Sequence, residues 1–339
     1  MYLLRVIAFP LSLLYAAVVH LRNYLYDIGV FKSRSFETPT ICIGNLGVGG
    51  SGKTPMTEYL IEMLKNEYRL AVLSRGYKRK SKGFLIAQAD STVEDLGDEP
   101  YQMFKKFPMV TVAVDADRRR GISLLEQEIK PDIILLDDAF QHRRVNPGFS
   151  LLLTSYGNIY PRDWYLPTGN LRDAKREAKR ANIIIVTKCP RELDESERES
   201  IIDALRPKPH QKILFCGLAY DPQLKGSKNP IDLTALKDKT VALVTGIANP
   251  DPLVNYLKDQ NVQFRHLRYA DHHFFSNNEV DTFKTYEVVL TTEKDHTRLE
   301  EKLENLYYLE VRHHFSEQDA LVLKNDIERY LKLCRQSLT

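Results

Sequence analysis

From residue 37 onward, short apolar runs alternate with stretches whose apolar residues recur every three or four positions, as expected for strands alternating with amphipathic helices. Strands are predicted over 40–46, 69–74, 84–87, 110–114, 132–136, 149–153 and 183–187. The runs Ile133-Ile134-Leu135-Leu136 and Ile183-Ile184-Ile185-Val186 contain no polar position. Such runs belong on central strands of a parallel sheet covered by helices on both faces, so the fold class is α/β. Residues 206–210, with Pro207 and Pro209, then read as a hinge. A short strand is predicted over 213–218 and a polar, irregular segment over 221–230. The alternation restarts over 240–245, 263–268, 288–291 and 307–311, predicting a second, smaller α/β unit of ordinary domain size. The expected organisation is an N-terminal segment 1–35, a core 36–206, a short linker 207–232 and a second unit 233–339.

The first strand leads into Gly47-Val48-Gly49-Gly50-Ser51-Gly52-Lys53-Thr54, which satisfies G-x-x-x-x-G-K-[ST]. Met56, Tyr59, Leu60, Met63 and Leu64 then lay an apolar stripe on a following helix, the context a phosphate-binding loop requires. Backbone N–H groups of such a loop close around phosphate oxygens, the helix start adds its dipole, Lys53 adds a charge, and the Thr54 hydroxyl can ligate Mg²⁺. The strand 132–136 ends in Asp137 and Asp138, and in a phosphate-loop enzyme an acid so placed reaches the magnesium. Gln141 and His142 follow at the same sheet edge, where ligands of open α/β sheets bind.

Asp98 and Glu99 stand where a helix begins. They are either acids favoured by the helix dipole or, for Asp98, a base for an attacking hydroxyl. A free aspartate is a weak base, with a pKa of ~3.9, so a partner would help. The candidate is His272 in Asp271-His272-His273, while the stretch Thr292-Glu293-Lys294-Asp295 ends the next strand. Adjacent histidines diverge in regular structure, which argues against a shared metal. Arg75, Arg118 to Arg120 and Arg172 recur at predicted strand ends. Gathered at one edge they would receive an anionic substrate.

Residues 6–21 carry no Lys, Arg, Asp or Glu and are flanked by Arg5 and Arg22. The run is shorter than the ~20 residues needed to span a bilayer, and Pro10 interrupts it. Tyr2, Tyr15, Tyr24 and Tyr26 suit a membrane interface, and Arg5, Arg22, Lys32 and Arg34 suit anionic headgroups. A membrane-associated helix is therefore expected in preference to a buried one. A signal peptide is discounted because it would carry a phosphate loop away from ATP. The formal charge of +3 gives no basic signature for nucleic acid. Cys42, Cys189, Cys216 and Cys334 have no paired spacing, so neither a zinc site nor a disulfide frame is expected, and a reducing compartment fits.

Together these motifs resemble the tetraacyldisaccharide 4'-kinase (lipid A 4'-kinase) family of Gram-negative bacteria. The resemblance rests on the glycine loop from Gly44 to Pro55, Leu73-Ser74-Arg75-Gly76-Tyr77, Gly97-Asp98-Glu99-Pro100, Leu136 to Arg143, Leu166 to Arg172, Asp271-His272 and Thr292 to Asp295, in the family's order. It implies a kinase at the cytoplasmic face of the inner membrane that moves the γ-phosphate of Mg-ATP to the 4'-hydroxyl of a tetraacylated glucosamine disaccharide 1-phosphate. It further implies two α/β/α domains joined by a short β linker. By residue match, Asp98 would be the base paired with His272, Lys53 and Thr54 the phosphate and metal contacts, and Asp137 and Asp138 the acids at the metal. Arg75, Arg119, Gln141, His142 and Arg172 would meet the lipid substrate. Asn170 and Asp173 depart from the family's more frequent Pro and Glu. Two other readings stay open: a phosphate-loop enzyme acting on a soluble metabolite, and a nucleotide-switched protein of the membrane surface. Neither Thr187-Lys188-Cys189-Pro190 nor Thr292-Glu293-Lys294-Asp295 matches the Asn-Lys-x-Asp of guanine readers, which favours ATP.

Overall fold

A computed structural model describes residues 8–226 and 229–336. Tyr2, Arg5 and the first two residues of the charge-free N-terminal run lie outside the described residues. The strands are β1 (Thr40–Asn45), β2 (Leu70–Ser74), β3 (Leu85–Ile86), β4 (Thr111–Val114), β5 (Ile133–Asp137), β6 (Phe149–Ser155), β7 (Ile183–Thr187), β8 (Lys212–Gly226), β9 (Ile231–Asp232), β10 (Val241–Thr245), β11 (Arg265–Arg268), β12 (Val288–Thr292) and β13 (Leu306–Phe315). Among the described residues they form one sheet in the order β11-β10-β12-β13-β8-β7-β6-β1-β5-β2-β4-β3, with β9 beside β8. All pairings are parallel except β13 with β8, β3 with β4 and β8 with β9.

The period-2 alternation of β1 shows why the sheet needs two covers. Ile41 and Ile43 pack with Met56, Leu60 and Ile61 of the helix Lys53–Leu64 and with Leu323, Ile327 and Leu331 of the helix Glu317–Gln336. Cys42 points the other way, into a cluster with Ile122 and Leu125 of the helix Arg118–Glu128 and Ile201 and Leu205 of the helix Glu195–Leu205. The second half of the sheet repeats the arrangement with its own two clusters. The helix Glu317–Gln336, which lies within the expected second unit, packs on the core of the first.

Two local expectations are corrected. The short strand over 213–218 and residues 221–226 of the segment expected to be irregular belong to one fifteen-residue strand, β8. Its first part pairs parallel with β7, from Ile183↔Lys212 to Val186↔Phe215. The rest runs antiparallel to β13, from Phe315↔Cys216 to Tyr307↔Gly226. Pro222 had argued against a strand there, but the register shifts between Leu309 and Val311, opposite Pro222, and a bulge tolerates a residue without an N–H. Pro10 does not interrupt the N-terminal helix. It occupies the first turn of the nineteen-residue helix Phe9–Asp27, where a missing N–H costs nothing.

Gly44 of β1 faces the turn after β5 so closely that a Cβ there would sit 2.5 Å from the Phe140 Cβ and 3.1 Å from its backbone nitrogen. Neither atom is the free end of a flexible side chain. Gly44→Ala is therefore expected to lower unfolding stability by about 1–3 kcal/mol in urea titrations, and an unchanged midpoint would contradict this packing.

Candidate active site

β1 ends at Asn45 and the glycine loop begins. Val48, Gly49 and Gly50 are exposed while Ser51 is buried, leaving the tip of the loop open to a ligand. Gly49 and Gly52 have φ of +105° and +83°, the left-handed region that favours glycine. The loop is braced from behind. Thr187 Oγ1 donates to the Ser51 carbonyl at 2.9 Å, Asn45 Nδ2 to Ser51 Oγ at 2.8 Å, and the Val48 N–H to the Asn170 carbonyl at 2.7 Å. From β13, His313 Nε2 lies 2.9 Å from the Gly52 carbonyl, and its Nδ1 lies 3.3 Å from Cys216 Sγ. A carbonyl only accepts, so Nε2 carries the hydrogen and the Cys216 thiol donates to Nδ1. Burial holds the His313 pKa below its ordinary value, which keeps the ring neutral in that role.

At the end of β5, Asp137 is buried, with Ser74 Oγ donating at 3.0 Å and Thr57 Oγ1 at 3.4 Å. Burial and the charge of Asp138 push its pKa up to about 6. Asp138 follows at a φ of +46°, with Lys53 Nζ 3.8 Å away and Arg172 Nη2 against the same oxygen. Burial alone would raise Asp138, yet Lys53 and Arg172 hold it below the ordinary range. Arg172 also donates to Asn45 Oδ1 at 3.0 Å. Lys53, Asp138, Arg172 and the base of the glycine loop thus meet in one place. Gln141 Nε2 donates to the Asn45 carbonyl. His142 and Arg119 line a cavity of about 590 Å³ with Arg22, Tyr26, Phe31 and Arg143. Burial and Arg118 push the His142 pKa down to about 4. Arg75 is exposed just past the end of β2. Arg118 takes no part in a surface cluster: it is buried, donating to the carbonyls of Asp115 at 3.0 Å and Asp137 at 3.3 Å.

Asp98 opens the helix Asp98–Lys106. Gly97 before it has a φ of +87°, and a Cβ there would lie 2.8 Å from the Tyr77 carbonyl, so only glycine fits the entry. His272, in the loop after β11, has a φ of +63°. Its Nδ1 lies 2.5 Å from Asp98 Oδ2 and its Nε2 3.2 Å from Lys294 Nζ. The lysine can only donate, so Nε2 is the accepting nitrogen and Nδ1–H points at the carboxylate. Lys294 also pairs with Glu99 at 3.0 Å. His273 turns away to Glu279 and stacks on Tyr269, the divergence expected of neighbouring histidines. Burial works against ionising Asp98, but hydrogen bonds from His272 and Arg298 hold its carboxyl well below the usual carboxylate range. Arg298 escaped the sequence reading. Its only signal is its place one helical turn after Lys294 on the helix Glu293–Leu299.

The other end of the Asp98 helix is tied down as well. Lys106 Nζ lies 2.6 Å from Glu58 of the glycine-loop helix, 3.0 Å from Glu293 and 2.7 Å from Glu310 of β13. Glu310 pairs in addition with Lys225 and, at 2.8 Å, with Arg312. The N-terminal helix completes the surroundings with an inverted polarity. Its polar side chains face the protein: Ser12 to Thr168 at 2.7 Å, Asn23 to Asp173 at 2.7 Å and Tyr15 to the Arg172 carbonyl at 3.1 Å. Its apolar stripe, Leu11, Leu14, Val18 and Leu21, is exposed, each by 60% or more. Exposed Trp164 stands edge-on to Phe9 beside it. No helix among the described residues is long and apolar enough to cross a membrane.

Residues 4–330 match the profile of the family described as tetraacyldisaccharide-1-P 4'-kinase. The chain is 47% identical over 321 residues to the tetraacyldisaccharide 4'-kinase of Flavobacterium johnsoniae, covering 93% of this chain and 94% of that protein. It is 44% identical over 311 residues to the tetraacyldisaccharide 4'-kinase of Bacteroides thetaiotaomicron, covering 86% and 82%. Its fold is similar to the crystal structure of an "apo" form of LpxK from Aquifex aeolicus in complex with ATP, with a TM-score of 0.79, 31% identity, and coverage of 97% and 99%.

Removing the charge of Lys106 would leave buried Glu58 and half-buried Glu293 without a cation, while Glu310 keeps Lys225 and Arg312, so Lys106→Met is expected to cost about 3–5 kcal/mol of unfolding stability. Burial already raises Glu58 and Glu293 above their ordinary values. A carboxyl raised in the folded state favours folding at low pH and loses that contribution as pH rises. The penalty should therefore be larger at pH 8 than at pH 5 when urea titrations are compared, and a penalty independent of pH would contradict the cluster.

Proposed function

The chain belongs to the tetraacyldisaccharide-1-P 4'-kinase family, whose members are kinases of lipid A biosynthesis, and on that premise we propose that it transfers the γ-phosphate of Mg-ATP to the 4'-hydroxyl of a tetraacylated disaccharide 1-phosphate. The observation that carries this reading is Asp98, held from the other half of the sheet by His272, which Lys294 backs in turn, at the start of a helix that Lys106 ties to the glycine-loop helix.

In this reading the loop 47–52, Lys53 and Thr54 hold the nucleotide phosphates. Asp98 orients the acceptor hydroxyl and takes its proton as oxygen attacks the γ-phosphorus, the bond to the bridging oxygen breaks and ADP leaves. The low basicity of Asp98 suits a loose transition state, in which alignment and charge neutralisation carry most of the catalysis. His272, with Nδ1–H on the carboxylate, fixes and shares the charge. Thr54, Asp137 and Asp138 offer hard oxygen donors of the kind Mg²⁺ prefers. Two neighbouring carboxylates, one of them buried and pushed up to about 6 by burial and the other's charge, are the arrangement a dication relieves. Bound there, the ion would neutralise phosphate charge. Arg119 and His142 in the basic cavity, with Arg75, Gln141 and Arg172, would receive the acidic headgroup.

The inverted helix Phe9–Asp27 and Trp164 would lie in the membrane interface at the cytoplasmic face of the inner membrane, apolar stripe down, with Arg22 and Lys32 near anionic headgroups. The division into a core 36–206 and a smaller unit 233–339, whose last helix stays packed on the core, with β8 in the connection between them, belongs to the same reading and would let closure exclude water from the transfer.

Asp98→Ala and His272→Ala should each lower lipid phosphorylation by about 10²-fold or more while ATP affinity stays near normal, and turnover like that of the unaltered chain in either would refute the pairing. Leu14→Glu combined with Leu21→Glu should weaken sedimentation with vesicles containing anionic lipid and slow turnover of the lipid acceptor. Unchanged binding would contradict the interfacial placement.

A further inference from the structure

We infer that Arg298 is a positioning residue for the transfer proposed above, its guanidinium fork fixing the plane of the Asp98 carboxylate toward the acceptor hydroxyl. The inference rests on that reading of Asp98 and adds a residue to it.

Three observations lead there. Arg298 Nε donates to Asp98 Oδ1 at 3.0 Å while Nη2 donates to Oδ2, so both carboxylate oxygens are taken by one planar group. His272 meets only Oδ2 and leaves the carboxylate free to turn about its Cβ–Cγ bond, whereas a two-point fork does not. The fork is itself held. Nη1 donates to Asp295 Oδ1 at 3.1 Å and to the His273 carbonyl at 3.3 Å. Asp295 is fully buried and fixed by the Gly246 N–H at 2.9 Å and the Thr292 hydroxyl at 2.8 Å. A chain of hydrogen bonds therefore runs from the end of β10 through Asp295 and Arg298 to Asp98. Finally, the side chain of Arg298 is 3% exposed. A buried cation that served only to pair a charge would not need the guanidinium plane, and lysine would be its equal. Orientation is what arginine alone supplies. The fork also lowers the basicity of Asp98, so its benefit must lie in geometry.

The test uses the full chain, γ-labelled ATP and detergent-dispersed lipid A disaccharide 1-phosphate, with Arg298→Met and Arg298→Lys made in the natural sequence and in an Asp98→Ala background. Thermal unfolding and binding of a fluorescent ATP analogue are followed in parallel. Arg298→Met should lower kcat by about 10²-fold, the cost of a misplaced reacting group, with the KM for ATP changed by less than about 2-fold. Arg298→Lys should recover no more than about a tenth of the lost rate, because it keeps charge but not the fork. In the Asp98→Ala background Arg298→Met should cost no more than about 2-fold, the non-additivity of residues acting as one unit. An equal loss in both backgrounds would overturn the inference in favour of a purely structural clamp, as would a kcat within about 3-fold of the natural chain. If Arg298→Met unfolds, Arg298→Lys decides: a loss of about 10-fold or more in kcat at unchanged KM for ATP supports positioning, and an unchanged kcat overturns it. No label in lipid with the natural chain would overturn the underlying reading, and the inference with it.

Discussion

Asp98 and Lys106 stand at the two ends of one nine-residue helix, Asp98 buried and Lys106 half-buried, and both form ion pairs with partners from the far half of the sheet. Burying charge costs several kcal/mol per ion unless each is met by a partner, so this helix has few places to rest. At one end it needs His272 and Arg298; at the other it needs Glu293 and Glu310, with Glu58 closing the circle onto the glycine-loop helix. Any displacement that unpaired one end would strand charge at the other. The position of Asp98 relative to the glycine loop is thus set by electrostatics spread over three helices and a strand.

The sheet provides the frame for those charges. β8 pairs with β7 on one side and β13 on the other, so the strand that carries Glu310 and His313 is in register with the strands that carry the glycine loop. His313 closes the connection by donating to the Gly52 carbonyl, which selects the tautomer, and Cys216 of β8 donates to the other ring nitrogen. A backbone-bonded frame with few side-chain degrees of freedom is what a reaction governed by alignment demands.

Much of this was readable because it is local. The glycine loop is specified by consecutive residues between a strand and a helix, and the central strands by runs such as Ile183 to Val186 that leave no face for water. The divergence of His272 and His273 follows from their adjacency. What could not be read depends on distant chain. The second half of β8 carries polar residues and Pro222, a pattern that argues against a strand, and it is a strand because β8 itself bulges over residues 221–223 to stay paired with β13. Arg298 looks like any helix-surface arginine until the fold brings Asp98 to it, 200 residues away in the chain. Arg118, read with its neighbours as an anion receptor, is buried against carbonyls because it opens the helix Arg118–Glu128 rather than ending a strand, and its side chain turns inward there. Pro10 was misjudged for a simpler reason: whether a proline breaks or begins a helix depends on where the helix starts.

The central claim is that these groups serve transfer of phosphate to one particular hydroxyl. The most direct measurement gives the chain γ-labelled ATP, Mg²⁺ and detergent-dispersed lipid A disaccharide 1-phosphate, in parallel with the same lipid blocked at its 4'-hydroxyl. The account predicts label in the unblocked lipid and none in the blocked one. Label found only as free phosphate, or equally in both lipids, would contradict it.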